Sequence, residues 1–234
     1  MWDNAPLLRN IANGLFGISL VLVLYGAVNY VLRLPVFSLD AVELVATPDR
    51  VSVEQIQHVV REQVSGNFFT VDLERTRQAF EKLPWVRKVS VRRKFPWCLQ
   101  VEVEEQVALA RWNGTALVNT YGEVFAAATD EVLPVFIGQQ DTSNRVMQIY
   151  SELNETLQPM QLQIAQISLS PRYAWQIKLD SGMVLELGRE EMQARLERFV
   201  KVYPYSLQAS AQFVRHVDLR YRNGFAAYQP GSEV

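Results

Sequence analysis

Two histidines, one cysteine and a close-set run of charged residues are the side chains in this 234-residue sequence whose types could do chemistry. A protein zinc site needs three or four ligands at short, recognisable spacings. His58 and His216 stand far apart, and neither His-x-x-x-His nor His-Glu-x-x-His occurs. Cys98 sits between Trp97 and Leu99, without the flanking positive charge that makes a thiol nucleophilic. As the lone cysteine it excludes an intramolecular disulfide. Gly-x-Ser-x-Gly, a P-loop and Ser-x-x-Lys are all missing. Glu102, Glu104 and Glu105 form a carboxylate cluster, but Glu102 and Glu104, two apart on a strand, read as solvated residues of one face. The expectation is no catalytic, cofactor-binding or metal-binding residue and no small-molecule substrate.

Arg87, Lys88, Arg92, Arg93 and Lys94 are the densest basic run. Contact with anionic lipid or an acidic partner is one reading, and a solvated strand face is the other. With 23 Lys and Arg against 25 Asp and Glu, a formal net charge of −2, no global excess recommends nucleic acid as a partner.

The element that must position everything else is near the N-terminus. Between Arg9 and Arg33 lie 23 residues without a formal charge, enough at about 1.5 Å each to cross a hydrocarbon core of about 30 Å. A cleaved signal peptide would have a shorter apolar core and a small-residue cleavage site, and neither is present. The expected layout is a cytoplasmic head over 1–9, a transmembrane helix over 10–34 and the remainder in the bacterial periplasm. Trp2 suits the membrane interface.

From Val36 to Val45 the mixed apolar pattern predicts a strand, ended by Thr47-Pro48. Ser52 with Gln55 forms a capping-box signature for a helix with Val53, Ile56, Val59, Val60 and Val64 on one side, stopping near Ser65-Gly66. Asn67-Phe68-Phe69 is a short turn. Asp72 can cap a second helix with Leu73, Thr76, Ala79, Phe80 and Leu83 inward, ended by Pro84. Two alternating segments follow around Lys94-Phe95-Pro96-Trp97, and parity puts Cys98 with Gln100, Glu102 and Glu104 on the wetter face. Residues 36–106 thus spell β-α-α-β-β.

From 107 to 230 the pattern is mostly β. Asn119-Thr120-Tyr121-Gly122 and Asp180-Ser181-Gly182 mark hairpins. Thr142 or Ser143 can cap a helix carrying Val146, Ile149, Tyr150, Leu153 and Leu157. Met192, Leu196, Phe199, Val200 and Tyr203 mark another, ending before Pro204. Trp85, Trp97, Trp112 and Trp175 are expected in cores. The fold class is α+β: a transmembrane helix, a two-helix, three-stranded module and a mostly antiparallel β-domain with two helices.

The β-α-α-β-β order, Asn67-Phe68-Phe69 leading to Val71-Asp72-Leu73, and Leu83-Pro84-Trp85-Val86 ahead of Val89-x-Val91-x-Arg93 resemble a POTRA domain. Together with the anchor before them, Val101-Glu-Val103-Glu-Glu105-Gln106-x-Ala108-x-Ala110-Arg111-Trp112 after them, and the closing Val217-Asp218-Leu219-Arg220-Tyr221 with Asn223-Gly224, they resemble the FtsQ family of bacterial cell-division proteins over nearly the whole chain. The resemblance implies a non-enzymatic scaffold of the inner membrane at the division septum. Its implied partners are FtsB and FtsL through the distal domain, with FtsK, FtsW and FtsI as further contacts. The rival classes are a component of outer-membrane protein export and an anchored cell-wall enzyme.

The resemblance also implies where binding occurs: Tyr221, Asn223, Gly224, Phe225, Ala226, Ala227 and Tyr228, the region that meets FtsB. The residues add a physical reason, since the segment 225–229 has no proline and no charge to blunt strand pairing. An intramolecular neighbour covering the edge is the alternative. If Asn223-Gly224 is a two-residue turn, Tyr221 faces Ala226 and Leu219 faces Tyr228, with Arg220, Arg222, Phe225 and Ala227 on the opposite face. The N–H of Ala226 is then a candidate donor to a partner strand.

Overall fold

The computed structural model describes residues 5–207, 213–222 and 224–228. Trp2 and Asn223 lie outside them. The chain divides into two compact units, 1–105 and 106–234.

The first unit opens with α1, Ala5–Leu32. Its stretch Arg9–Leu32 is long and apolar enough to cross a membrane and has no part buried against protein. The Asn29 amide donates to the Tyr25 carbonyl at 3.0 Å, so a polar group on this apolar helix is satisfied locally.

The strand expected from Val36 begins later. Pro35–Phe37 is a 3-10 turn and β1 is only Ala41–Leu44. Proline at the start of this turn presets its φ and has no N–H to give a ladder, and the Phe37 ring packs instead on Phe69 and Trp97.

Helix α2, Val53–Gln63, starts on the full capping box of Ser52 and Gln55. Helix α3, Leu73–Glu81, starts on Asp72, whose carboxylate accepts from the Arg75 N–H at 3.0 Å. Strands β2, Val86–Lys94, and β3, Cys98–Glu105, complete a sheet ordered β1-β3-β2, with β1 parallel and β2 antiparallel to β3. Phe80, Leu99 and Val101 are fully buried. Cys98 and Gln100 are half-buried while Glu102 and Glu104 are exposed, as parity requires.

Among the described residues the second unit contains a nine-stranded mixed sheet. Its strands are β4 Ala108–Trp112, β5 Ala116–Asn119, β6 Val124–Phe125, β7 Val135–Ile137, β8 Ile164–Leu169, β9 Trp175–Leu179, β10 Val184–Gly188, β11 His216–Asp218 and β12 Ala226–Tyr228. Their order is β12-β11-β10-β9-β8-β7-β4-β5-β6. Antiparallel pairs predominate, but β4–β7, β7–β8 and β10–β11 are parallel. Parallel neighbours need a crossover. Helix α4, Ser143–Leu157, supplies it between β7 and β8, and α5, Met192–Ser206, between β10 and β11.

The core gathers Trp175, Phe136, Ile167, Ile177, Leu185, Leu196 and Phe199, all essentially inaccessible to water. Trp112 is also buried, whereas Trp85 and Trp97 are half-buried.

Two expectations about helix ends are corrected. Neither Thr142 nor Ser143 caps α4 with its side chain: the Thr142 hydroxyl donates to Gln139 O and that of Ser143 to Gly122 O. Helix α5 does not stop before Pro204 but runs through it to Ser206. In a last turn the ring removes one hydrogen bond, and the buried Tyr203 side chain, its ring tilted against Phe199 with centroids 5.2 Å apart, keeps that turn packed.

Candidate partner-binding edge

Strand β12 is the C-terminal edge of the large sheet and, among the described residues, pairs only with β11. Its register differs from the one a two-residue turn dictates. His216 stands opposite Tyr228, Val217 opposite Ala227 and Asp218 opposite Ala226, so the connection runs from Leu219 to Phe225. Tyr221 does not face Ala226, and Leu219 does not face Tyr228. Gly224 lacks the left-handed backbone that an Asn-Gly turn of this type demands.

Tertiary contacts set this longer loop. The Arg198 guanidinium on α5 donates to the carbonyls of Tyr221 (3.2 Å) and Arg222 (2.6 Å). The half-buried Phe225 ring meets Phe199 edge to face at 5.9 Å. Arg220 clasps Asp218, with its Nη2 at 2.6 Å from the carboxylate, and this pairing holds the Asp218 carboxyl below its ordinary range.

The backbone decides what the edge offers. Val184 N–H donates to Arg215 O (2.9 Å) and Leu219 N–H to Glu186 O (3.0 Å), which directs the odd-numbered residues of β11 at β10. His216 and Asp218 therefore address β12, making His216–Tyr228 and Asp218–Ala226 the hydrogen-bonded pairs. The Tyr228 carbonyl, accepting from Arg215 N–H at 3.2 Å, agrees. Val217–Ala227 is the open pair, and the N–H and C=O of Ala227 point away from the sheet. The N–H of Ala226, the candidate donor in the sequence, is turned toward β11 instead. Side chains of Ala226, Ala227 and Tyr228 are all exposed.

A recess of about 430 Å³ at the base of the same loop is lined by Arg172, Arg189, Arg195 and Arg220, with Glu190 as its acid. Gly188 forms part of its wall at φ +78°, and a Cβ there would come within 2.7 Å of Arg195 Nη1. Spacing in the sequence does not reveal this gathering, because the β8–β9 turn, the end of β10, helix α5 and the loop each bring a different arginine.

The basic run of the smaller sheet is largely matched by acids. Arg87 meets Glu104 at 2.7 Å, Arg92 meets Glu102 at 3.1 Å, and Lys94 meets Glu43 at 2.6 Å, which raises the Lys94 pKa. Arg93 donates to the carbonyls of Phe68 and Val71. Glu105 accepts from the backbone N–H groups of Asp49, Arg50 and Val51 at 2.8 to 2.9 Å. Lys88 and Arg92 are exposed, as the solvated-face reading expects, whereas Arg87 is half-buried and Arg93 and Glu105 are structural ties. Exposed His58 lies 3.4 Å from Glu62 on its own helix. Among the described residues no three His, Cys, Asp or Glu side chains gather as metal ligands.

An apolar helix of membrane-crossing length, a two-helix, three-stranded module and a larger sheet ending, among the described residues, in the edge strand β12 define the class, a POTRA protein headed by an anchor-like helix. Residues 37–106 match the POTRA domain of FtsQ type, and residues 110–220 match the C-terminal region of the cell division protein FtsQ/DivIB. The cell division protein FtsQ of Nitrosospira multiformis is 41% identical over 232 residues, covering 97% of this chain and 98% of the relative. Those of Bordetella pertussis and Burkholderia pseudomallei are 38% and 34% identical, covering 97% and 99% of this chain and 92% and 95% of their own. The chain belongs to the FtsQ family of bacterial cell-division proteins.

Proposed function

We propose that the chain is a non-enzymatic, single-pass scaffold of the division machinery, with residues 1–9 cytoplasmic, 10–34 in the inner membrane, and a POTRA domain (36–106) and β-domain (107–230) in the periplasm at the septum. Its partners are FtsB and FtsL, bound through the distal domain, with FtsK, FtsW and FtsI as further contacts of the assembly. The observation that carries the reading is the outward N–H and C=O of Ala227 on an exposed edge strand. An extended partner segment satisfies those groups by strand addition. The arginine-lined recess beside the loop suits an acidic side chain of the same segment. Tyr221, Asn223, Gly224, Phe225, Ala226, Ala227 and Tyr228 are the residues assigned to this contact.

The test is Ala227→Pro, which deletes the outward donor and leaves the hydrogen-bonded pairs on either side in place. FtsB affinity, measured by calorimetry on the purified protein, should fall by about 1–3 kcal/mol. Unchanged affinity in a folded variant would remove β12 from the interface. Ala226→Pro is the contrasting variant: it breaks the β11–β12 ladder itself, so it should also remove hydrogen-exchange protection from β11. For topology, a reporter enzyme active only in the periplasm, fused after Val234, should be active, and cytoplasmic activity would reverse the assigned orientation.

A further inference from the structure

Five aromatic rings collect beside the end of α1. Phe37, Phe68, Phe69 and Phe95 gather around Trp97, with ring centroids 5.2 to 6.1 Å from it. Phe68 is buried, but Phe95 is 79% exposed, Val36 75% and Phe69 44%. Scattered exposed apolar residues are ordinary, whereas a grouped set needs an occupant.

The place of this collar is fixed. Phe37 follows Leu32, the last residue of α1, by only five positions, a reach of at most about 18 Å. The Asn67 amide donates to the carbonyls of Leu32 (2.6 Å) and Leu34 (3.2 Å), and Phe68 N–H donates to Phe37 O (2.9 Å). Arg93 holds the same turn from the other side through Phe68 O (2.7 Å) and Val71 O (2.9 Å). No slack linker separates the rings from the helix end.

A helix that crosses a bilayer ends at the headgroup level, where aromatic rings partition favourably. Exposed Arg33, with Ser38 and Thr70, lines a neighbouring recess of about 560 Å³ whose surface combines a cation and hydroxyls with apolar walls. That is the chemistry of a phospholipid head and the start of its chains.

We infer that Val36, Phe69, Phe95 and Trp97 are seated in the interfacial zone of the bilayer that α1 crosses. The POTRA module is thereby pressed against the membrane surface and does not swing from a tether. This rests on reading α1 as a span, and the experiment separates the two.

The full chain carrying Cys98→Ser is labelled with an environment-sensitive fluorophore at one introduced cysteine: Phe95→Cys, Leu20→Cys or His58→Cys. Each protein is reconstituted in vesicles of phosphatidylethanolamine and phosphatidylglycerol that contain lipids brominated high on the acyl chain. Phe95 is exposed and makes no hydrogen bond through its side chain, so its replacement leaves the fold intact. The Phe95 probe should be blue-shifted and quenched several-fold more than the His58 probe, and the Leu20 probe should also be quenched. Quenching at Leu20 with none at Phe95 overturns the inference and keeps the span. No quenching at either overturns both. A blue-shifted but unquenched Phe95 probe means that protein, a second copy or another chain, covers the collar, and the inference fails.

Discussion

Asn67 concentrates more structural work than any other polar side chain near the anchor. It is 7% exposed, and while its Nδ2 donates to Leu32 and Leu34, its Oδ1 accepts from the N–H groups of Phe69 and Thr70 and from the Thr70 hydroxyl. Replacing it with alanine strands several of these groups, so Asn67→Ala should cost on the order of 2–3 kcal/mol in thermal unfolding of the detergent-solubilised chain. Asn67→Asp should do no better, because its carboxylate faces two carbonyl oxygens. The sequence marks Asn67 only as a turn residue, since its acceptors lie more than thirty positions away. Asp218 gives a pH signature. Its folded pKa is lowered by Arg220, so its stabilisation is fully present above the unfolded value of about 3.9 and is lost as pH falls through the folded one. Below pH 4, melting temperature should fall more steeply for the wild type than for Asp218→Asn. Parallel slopes would show that the pair adds nothing.

Elements defined by neighbouring residues were legible in the sequence; those defined by distant ones were not. The capping box of α2, the Asp72 cap of α3 and the hairpin at Asp180-Ser181-Gly182 need contacts only a few positions apart. Leu179 N–H meets Met183 O at 2.8 Å across that turn, with Gly182 at φ +87°. The β11–β12 connection is the opposite case. Its length is set by Arg198 and Phe199 on α5, so the local Asn-Gly signal yields to tertiary contacts. Hence Arg198→Ala, which removes both bonds to the loop carbonyls but touches no outward group of β12, should weaken partner binding by about 1 kcal/mol. Calorimetry beside hydrogen exchange at the loop checks this, and an unmoved affinity would make the clamp irrelevant to binding.

At the scale of the molecule, each unit has its own core, one around Phe80 and Val101 and the other around Trp175, Phe136 and Phe199. Residues 106–234 produced alone should therefore unfold in one cooperative transition, close to one seen in the intact chain. A fragment without near-ultraviolet dichroism would refute that independence. The β-α-α-β-β order was readable because every element carries its own period and punctuation. The lateral order of the large sheet was not, although a helix between strands of one sheet, as α4 and α5 are, is the pattern that parallel crossovers leave.

The position of β12 in the strand order carries a consequence for synthesis. The edge assigned to the partner is built by residues that the ribosome reaches after every other described strand, and it is aligned by His216 and Asp218, made only slightly earlier. A nascent chain halted anywhere before residue 226 has most of its sheet and none of that edge. The proposed engagement through β12 would therefore require a chain translated through Tyr228.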